Sequence, residues 1–345
     1  MRSFLPFAAA LLVPASAYAQ GDLSPPAGVP AAGMKTLAQV EPRTAIPPSP
    51  AVPIAGPHFT IGARGSYYLT GNVTVSSGSP IVINSGGVTL DLNGYTISSN
   101  SGSPNGTAIT INFSDVTVTN GHIVGGGFVN GIFSSSTAHN LIVSRVSVQG
   151  CDKRGIVLLS DSTLVEGCTV SNIPSLVVLE AAGIRAGVVR NSTARDCASY
   201  AINGITVSDC IGEVTAPGTL LGSGIFASVV INSSARNMGS GPAMNATESA
   251  TNCTAYSTTG SALTGGVLQN CVAVSTNGGV GITCTTATNC KSTTSNNVSI
   301  VAKTASFCHV SRTAGGVALQ ATNAIGCSAE AGSTVTAANK SLGTP

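Results

Sequence analysis

The feature that most constrains this chain is a repeat. Asn252-Cys253-Thr254-Ala255, Asn270-Cys271-Val272-Ala273, Asn289-Cys290-Lys291-Ser292, Phe307-Cys308-His309-Val310 and Gly326-Cys327-Ser328-Ala329 recur every 18 or 19 residues. Self-similarity at such a period marks a coil that stacks on its own neighbours. Extended towards the N-terminus, the register gives one column: Gly94, Gly121, Val146, Cys168, Ser192, Cys210, Ser233, then the five cysteines, at spacings of 18 to 27 residues. Three positions before it stand Val118, Val143, Val165, Val189, Val207, Val230, Ala250, Leu268, Ala287, Ala305 and Ala324, with Asp91 the exception. Two positions after it stand Ile123, Val148, Val170, Ala194, Ala235, Ala255, Ala273 and Val310. One position before it recur Asn93, Asn120, Asn191, Asn232, Asn252, Asn270 and Asn289, with Asp209 a near equivalent.

These offsets describe two short strands with inward alternation, joined by a one-residue bend. Asn tolerates the left-handed backbone that such a bend needs, and amides stacked one coil apart can hydrogen-bond to one another. A second unit, Gly-Ile, marks the start of another strand at Gly131-Ile132, Gly155-Ile156, Gly183-Ile184, Gly204-Ile205, Gly224-Ile225 and Gly281-Ile282. Strands that pair with their sequence neighbours one coil away form parallel sheets. The expected fold is therefore all-β, a single-stranded parallel β-helix of about 12 coils with a short N-terminal cap. A narrow interior accounts for the composition: no Trp, 41 Gly, and an apolar share carried by Val, Ala and Ile.

Arg2, the apolar run Phe4 to Val13 and Ala17-Tyr18-Ala19 describe a secretory signal peptide over 1–19, cut after Ala19. Residues 20–57 are Pro- and Ala-rich and read as a linker. Within it, Met34, Leu37 and Val40 at spacings of three suggest a capping helix over 34–41, stopped by Pro42. The solenoid is expected over 58–330, followed by a tail over 331–345. The chain is expected to be secreted, periplasmic or on the cell surface, without membrane insertion once the signal is removed. A net charge of +2 thinly spread argues against a nucleic-acid partner.

Leu90-Asp91-Leu92-Asn93-Gly94-Tyr95-Thr96-Ile97, preceded by Gly65-Ser66-Tyr67-Tyr68-Leu69-Thr70-Gly71-Asn72-Val73-Thr74-Val75, resembles the opening of secreted bacterial right-handed β-helix proteins. Met34-Lys35-Thr36-Leu37 and Val40-Glu41-Pro42-Arg43-Thr44 resemble the lead-in found in many of them. The resemblance is to the broad pectate-lyase-like group, which includes polysaccharide lyases, glycoside hydrolases and proteins of unknown role. It implies the fold and leaves the activity open. The Asn-Thr-Asp, Asp-Asp, Gly-His-Gly and Arg-Ile-Lys signatures of polygalacturonase-like relatives are absent.

Of the ten cysteines, seven share the inward column, where parallel rungs give poor disulfide torsions, so they are expected as small core fillers. Cys151, Cys197 and Cys284 lie off the column and read as the candidates for bonded or reactive thiols. His58, His122, His139 and His309 share no ligand spacing; they read as exposed, and neither a metal site nor a cofactor is expected. Charge gathers in residues 145–213, which hold 13 of the 28 charged groups. Glu166 and Arg190 fall two places before the column on consecutive coils, as an outward ion pair. Asp152, Arg154, Arg185 and Arg190 are the candidate substrate contacts.

Two classes of function follow. One is a non-catalytic structural or carbohydrate-binding module, with a polysaccharide as partner. The alternative is a polysaccharide lyase or glycoside hydrolase working on acidic sugar at the outward face of the middle coils. A hydrolase needs two carboxylates flanking the bond, and no two Asp or Glu take the same outward place on adjacent coils. The first reading is therefore preferred.

Overall fold

The computed structural model describes residues 42–175, 181–215 and 222–341. These residues form strands and turns without a helix, and the strands pair in parallel, one coil on the next. The chain is a parallel β-solenoid of about 14 turns, two more than the repeat count suggests. The expected signal peptide 1–19 and capping helix 34–41 lie outside the described residues. No helix among those residues is long and apolar enough to cross a membrane.

The coil Arg154–Leu158, Thr163–Glu166, Thr169–Ile173 shows the plan: three strands that belong to three stacks. The first stack carries inward the line Ile81, Ile109, Ile132, Ile156, Ile184, Ile202, Ile225, Met244, Leu263, Ile282, Ile300, Leu319 and Val335, each paired with the next. The second carries Leu90, Val118, Val143, Val165, Val189, Val207, Val230, Ala250, Leu268, Ala287, Ala305 and Ala324. The third carries Ile97, Ile123, Val148, Val170 and Ala194, and later Ala235, Ala255, Ala273, Ser292 and Val310. All of these side chains are buried, so the interior is one continuous dry line per stack. Val165, Val189 and Val207 stand directly on one another, as the repeat requires.

The bend between second and third stacks has the backbone foreseen for it. Asn93, Asn120, Asn191, Asp209, Asn232, Asn252, Asn270 and Asn289 all have φ between 49° and 60°. Asn232 donates to Asp209 at 3.2 Å, Asn252 to Asn232 at 3.2 Å, Asn270 to Asn252 at 3.2 Å and Asn289 to Asn270 at 2.9 Å. Coils without Asn keep the same geometry, with Arg145 at 53° and Phe307 at 54°.

The sequence register needs correction in three places. Leu90, not Asp91, pairs with Val118, and the exception at Asp91 disappears. The first bend is two residues longer than the next: Asp91 faces Thr119 while Thr96 faces His122. The extra loop turns Gly94 outward, and Leu92 fills the interior beside Gly121, where a Cβ would stand 2.3 Å from the Leu92 Cβ. In the Gly204-Ile205 unit, Ile205 is 42% exposed; the inward residue on that coil is Ile202. The solenoid also passes both expected bounds. Thr44–Ile46, set between prolines, pairs with Gly65–Leu69, and Ser333–Ser341 pairs with Gly316–Ile325.

The Gly of the Gly-Ile unit is explained by the thinness of the interior. A Cβ on Gly131 would lie 2.7 Å from Val148 Cγ1, and one on Gly155 2.4 Å from Val170 Cγ1 and 2.4 Å from the Gly183 carbonyl oxygen. These are third-stack side chains across the core, so at these coils the third stack packs onto a first-stack position that has no side chain. Gly155→Ala should lower stability by about 1–3 kcal/mol, the usual cost of overfilling a close-packed core. Gly102→Ala, at a site with nothing within 4 Å, should change the melting temperature little. Thermal unfolding of the two variants side by side checks this; equal melting temperatures would refute the contact argument.

Candidate functional site

In the middle coils the first stack turns Gly and Ile inward, so the residues on either side of that pair, three apart, face out. Two outward lines result. One runs Asn130, Arg154, Ala182, Tyr200; the other runs Phe133, Val157, Arg185, Asn203, Phe226, and of these Asn130, Val157 and Ala182 are buried. The Arg154 guanidinium carbon lies 5.0 Å from the Phe133 ring centre, and its Nη1 donates to Asn130 Oδ1 at 3.3 Å. Tyr200 and Phe226 meet edge to face at 5.8 Å. Arg185 stands between these two aromatic groups. Stacking over successive coils thus gathers Phe133, Arg154, Arg185, Tyr200 and Phe226 on one face, although they are up to 93 residues apart in sequence (226 minus 133).

Beyond the C-terminal ends of these strands the surface sinks into a groove. A hollow of about 200 Å³ is bounded by Leu158, Leu159, Ser160, Asp161, Arg185, Gly187, Asn203 and Ile205. A second, of about 340 Å³, shares Leu159, Ser160 and Asp161 and adds Ser136, His139 and Ser162. Gly187 makes the groove possible: a Cβ there would lie 1.7 Å from the Asp161 carbonyl oxygen. The floor is tied down by hydroxyls. Gly187 N donates to Thr163 Oγ1 at 2.9 Å, and Thr163 Oγ1 donates to the Ser160 carbonyl at 2.7 Å. Ser160 Oγ lies 2.7 Å from His139 Nδ1. The groove therefore offers one imidazole, one carboxylate and one guanidinium over a bed of hydroxyls.

Of the four candidate contacts, the structure places Arg185 in the groove and Arg154 on the aromatic face beside it. Asp152 lies apart, in the bend before the strand, where its backbone N donates to Phe128 O at 3.0 Å. Arg190 is on the outer face of the second stack. There it holds Glu166 as the register foretold, with Nε 2.9 Å from Oε1 and Nη2 donating to Oε2 at 3.2 Å. Both partners are exposed, so the pair contributes less than about 1 kcal/mol. His139 and Asp161 were not candidates. A signal for them was present: counting four back from the buried second-stack residues 143, 165, 189 and 207 gives His139, Asp161, Arg185 and Asn203.

None of the ten cysteines is in a disulfide, and every one but Cys284 is buried. The column thiols fill the core and donate to carbonyls, as Cys271 Sγ does to Ala250 O at 3.4 Å and to Gln269 O at 3.2 Å. The expectation that Cys151 and Cys197 are bonded or reactive is overturned, because both are core residues with no exposed sulfur. Burial pushes each thiol from 9.0 up to about 12. Among the described residues no three His, Cys, Asp or Glu side chains converge as a metal cluster. His309 bridges Ser328 Oγ, at 2.9 Å, and Glu330, at 3.4 Å.

No protein-family model and no curated protein matches the chain. Among solved structures it is similar to the Azotobacter vinelandii mannuronan C-5 epimerase AlgE6 A-module, at 12% identity and a TM-score of 0.49, over 81% of this chain and 90% of that one. It is also similar to ORF18 of Geobacillus virus E2, at 14% identity and a TM-score of 0.36, over 81% of this chain and 52% of that one. The likeness is one of fold.

The thiols supply a test with a defined sign. A thiol whose pKa is raised on folding adds stability below its unfolded value and loses that contribution as pH climbs through the folded one. In the folded protein at about pH 8.5, where an ordinary thiol is half ionised, Cys151 and Cys197 should resist alkylation. Denatured protein should take up label at all ten. Peptide mapping after iodoacetamide treatment reads both; rapid native labelling at Cys151 would contradict the burial.

Proposed function

We propose that the protein is an exported solenoid that binds an acidic polysaccharide along the outward face of its middle coils, without cleaving it. The observation that carries this reading is the placement of Arg185 between the Phe133–Arg154 and Tyr200–Phe226 groups, at the mouth of the groove. Sugar rings present apolar C–H faces that suit aromatic side chains, and uronate carboxylates suit the two parallel donors of a guanidinium. Coils repeat at about 4.8 Å, so an extended chain lying along the axis meets a new set of groups at every turn. Ser160, Ser162 and Asn203 supply the short hydrogen-bonding side chains that sugar hydroxyls require. The export proposal rests on the signal-like N-terminus.

Asp161 is the single carboxylate lining the groove among the described residues, and a two-carboxylate hydrolysis has no second member there. One observation favours a second reading. His139 and Asp161 share the groove with Arg185, and an imidazole beside a cation that neutralises a uronate is the minimum for an eliminating lyase.

Retention on a panel of uronate polysaccharides tests both. Wild-type protein should be retained at low salt and released as ionic strength rises. Losing a charge-assisted hydrogen-bonding group costs about 1.5–3 kcal/mol, so Arg185→Ala should weaken binding roughly tenfold to a hundredfold. Glu166→Gln, on another stack, should leave binding unchanged. Absence of retention on every acidic glycan would overturn the proposal. Unsaturated uronate product, lost in His139→Ala, would replace binding alone by the lyase reading.

A further inference from the structure

We propose that the buried thiol ladder Cys253, Cys271, Cys290, Cys308 and Cys327 is a site for the mercuric ion, held as a two-coordinate bis-thiolate between successive coils. The residues that follow these cysteines, Thr254, Val272, Lys291, His309 and Ser328, pair one with the next, so the five cysteines repeat at the coil spacing. All five are buried, and none is in a disulfide. Each S–H lies within donating reach of the same two carbonyls, one of its own strand and one of an earlier coil, as in Cys253 with Thr251 O and Val230 O and in Cys308 with Ser306 O and Ala287 O. Identical tethers point the sulfurs the same way.

Sulfurs hung in this way repeat at about 4.7–4.9 Å, the spacing of paired strands. Two metal–sulfur bonds of about 2.3 Å, laid end to end, span nearly that distance. A linear S–metal–S unit therefore fits between two rungs without moving the strands, whereas a disulfide of about 2.05 Å needs the sulfurs to close by more than half. Among the described residues no third His, Cys, Asp or Glu joins any pair to make a metal-binding group, which leaves a four-coordinate zinc unserved. Thiolate selects soft cations, and charge then decides among those that accept two ligands. Copper(I) or silver(I) between two thiolates leaves one negative charge in a dry core, a costly state, whereas the mercuric bis-thiolate is neutral. The step balances without oxidation: two S–H bonds break, two Hg–S bonds form, and two protons leave for each ion. Five rungs hold two ions.

The test is a titration of the reduced full-length protein with mercuric chloride, followed by washing with a small monothiol and native mass spectrometry. Wild type should retain two more ions than the double variant Cys271→Ala, Cys308→Ala, in which no two remaining rungs are neighbours. It should also release two protons per retained ion and keep its far-ultraviolet circular dichroism. X-ray absorption at the mercury edge reads the same geometry on wild type alone, with two sulfur neighbours expected per ion. Equal retention by both proteins, one ion per thiol, a single sulfur neighbour, or loss of strand signal on loading would each overturn the proposal.

Discussion

The solenoid depends on one backbone conformation, the left-handed residue that joins the second and third stacks. A strand alternates its side chains, and a turn of ordinary length would carry that alternation out of phase with the next strand. A single residue near φ 50–60° redirects the chain while the position after it still points inward. From Asn120 to Gly326 each coil repeats that choice, because strands that stack in parallel share register with the coil on each side. Asn at this position lowers the conformational penalty and adds a side-chain hydrogen bond to the neighbouring coil. At Phe307 the Asn run stops: the aromatic ring holds the same φ and lies over Gly326, where a Cβ would stand 2.8 Å from it.

A register that tight produces a thin interior, and the thinness selects the residues. The first and third stacks approach until only Gly fits at Gly131, Gly155 and Gly281. The second stack runs from Val in the N-terminal half to mostly Ala beyond position 250, and the column beside it changes to Cys over the same coils. A thiol is small, apolar enough to bury, and able to cap a carbonyl that the bend leaves with spare acceptor capacity. For the cysteines of the column the lack of a disulfide therefore follows from geometry. Inside such a column the strand spacing holds like residues close, yet in an orientation from which a disulfide does not form.

Much of this was legible because the repeat writes its own register. Val118 to Ala324, Ile123 to Val310 and the Asn bends fall where counting from one cysteine puts them. Counting failed where coil length changed. The longer first bend shifted Asp91 by one, Gly204-Ile205 mimicked a motif that its own coil places three residues earlier, and Thr44–Ile46 was hidden among prolines. Cys151 and Cys197 looked exceptional because they belong to inward positions outside the single column being counted. The site was half legible. Arg154 and Arg185 stood out as charges in longer coils, but His139 and Asp161 are loop residues whose neighbours depend on how Leu159 to Ser162 is routed. Phe133, Tyr200 and Phe226 become a group only when strands from separate coils are laid side by side.

The middle coils carry the site because they are where the solenoid departs from uniformity. The C-terminal coils are short and tightly turned, and their bend Asn side chains serve the ladder. Around residues 158–163 the chain takes a longer path between first and second stacks than it does at 186–188, and the difference in length leaves a step in the surface. Gly187 lets the longer path press against the shorter coil, and the Thr163 and Ser160 hydroxyls fix it there. Arg185 is thus presented on a strand paired on both sides rather than on a free loop. Pairing on both sides fixes the Arg185 backbone, and the flanking aromatic groups sit on the same rigid stack. An ordered row of groups at fixed coil spacing suits a ligand that is itself a repeating chain better than a single small molecule. The argument for a polysaccharide therefore rests on the same periodicity that builds the fold.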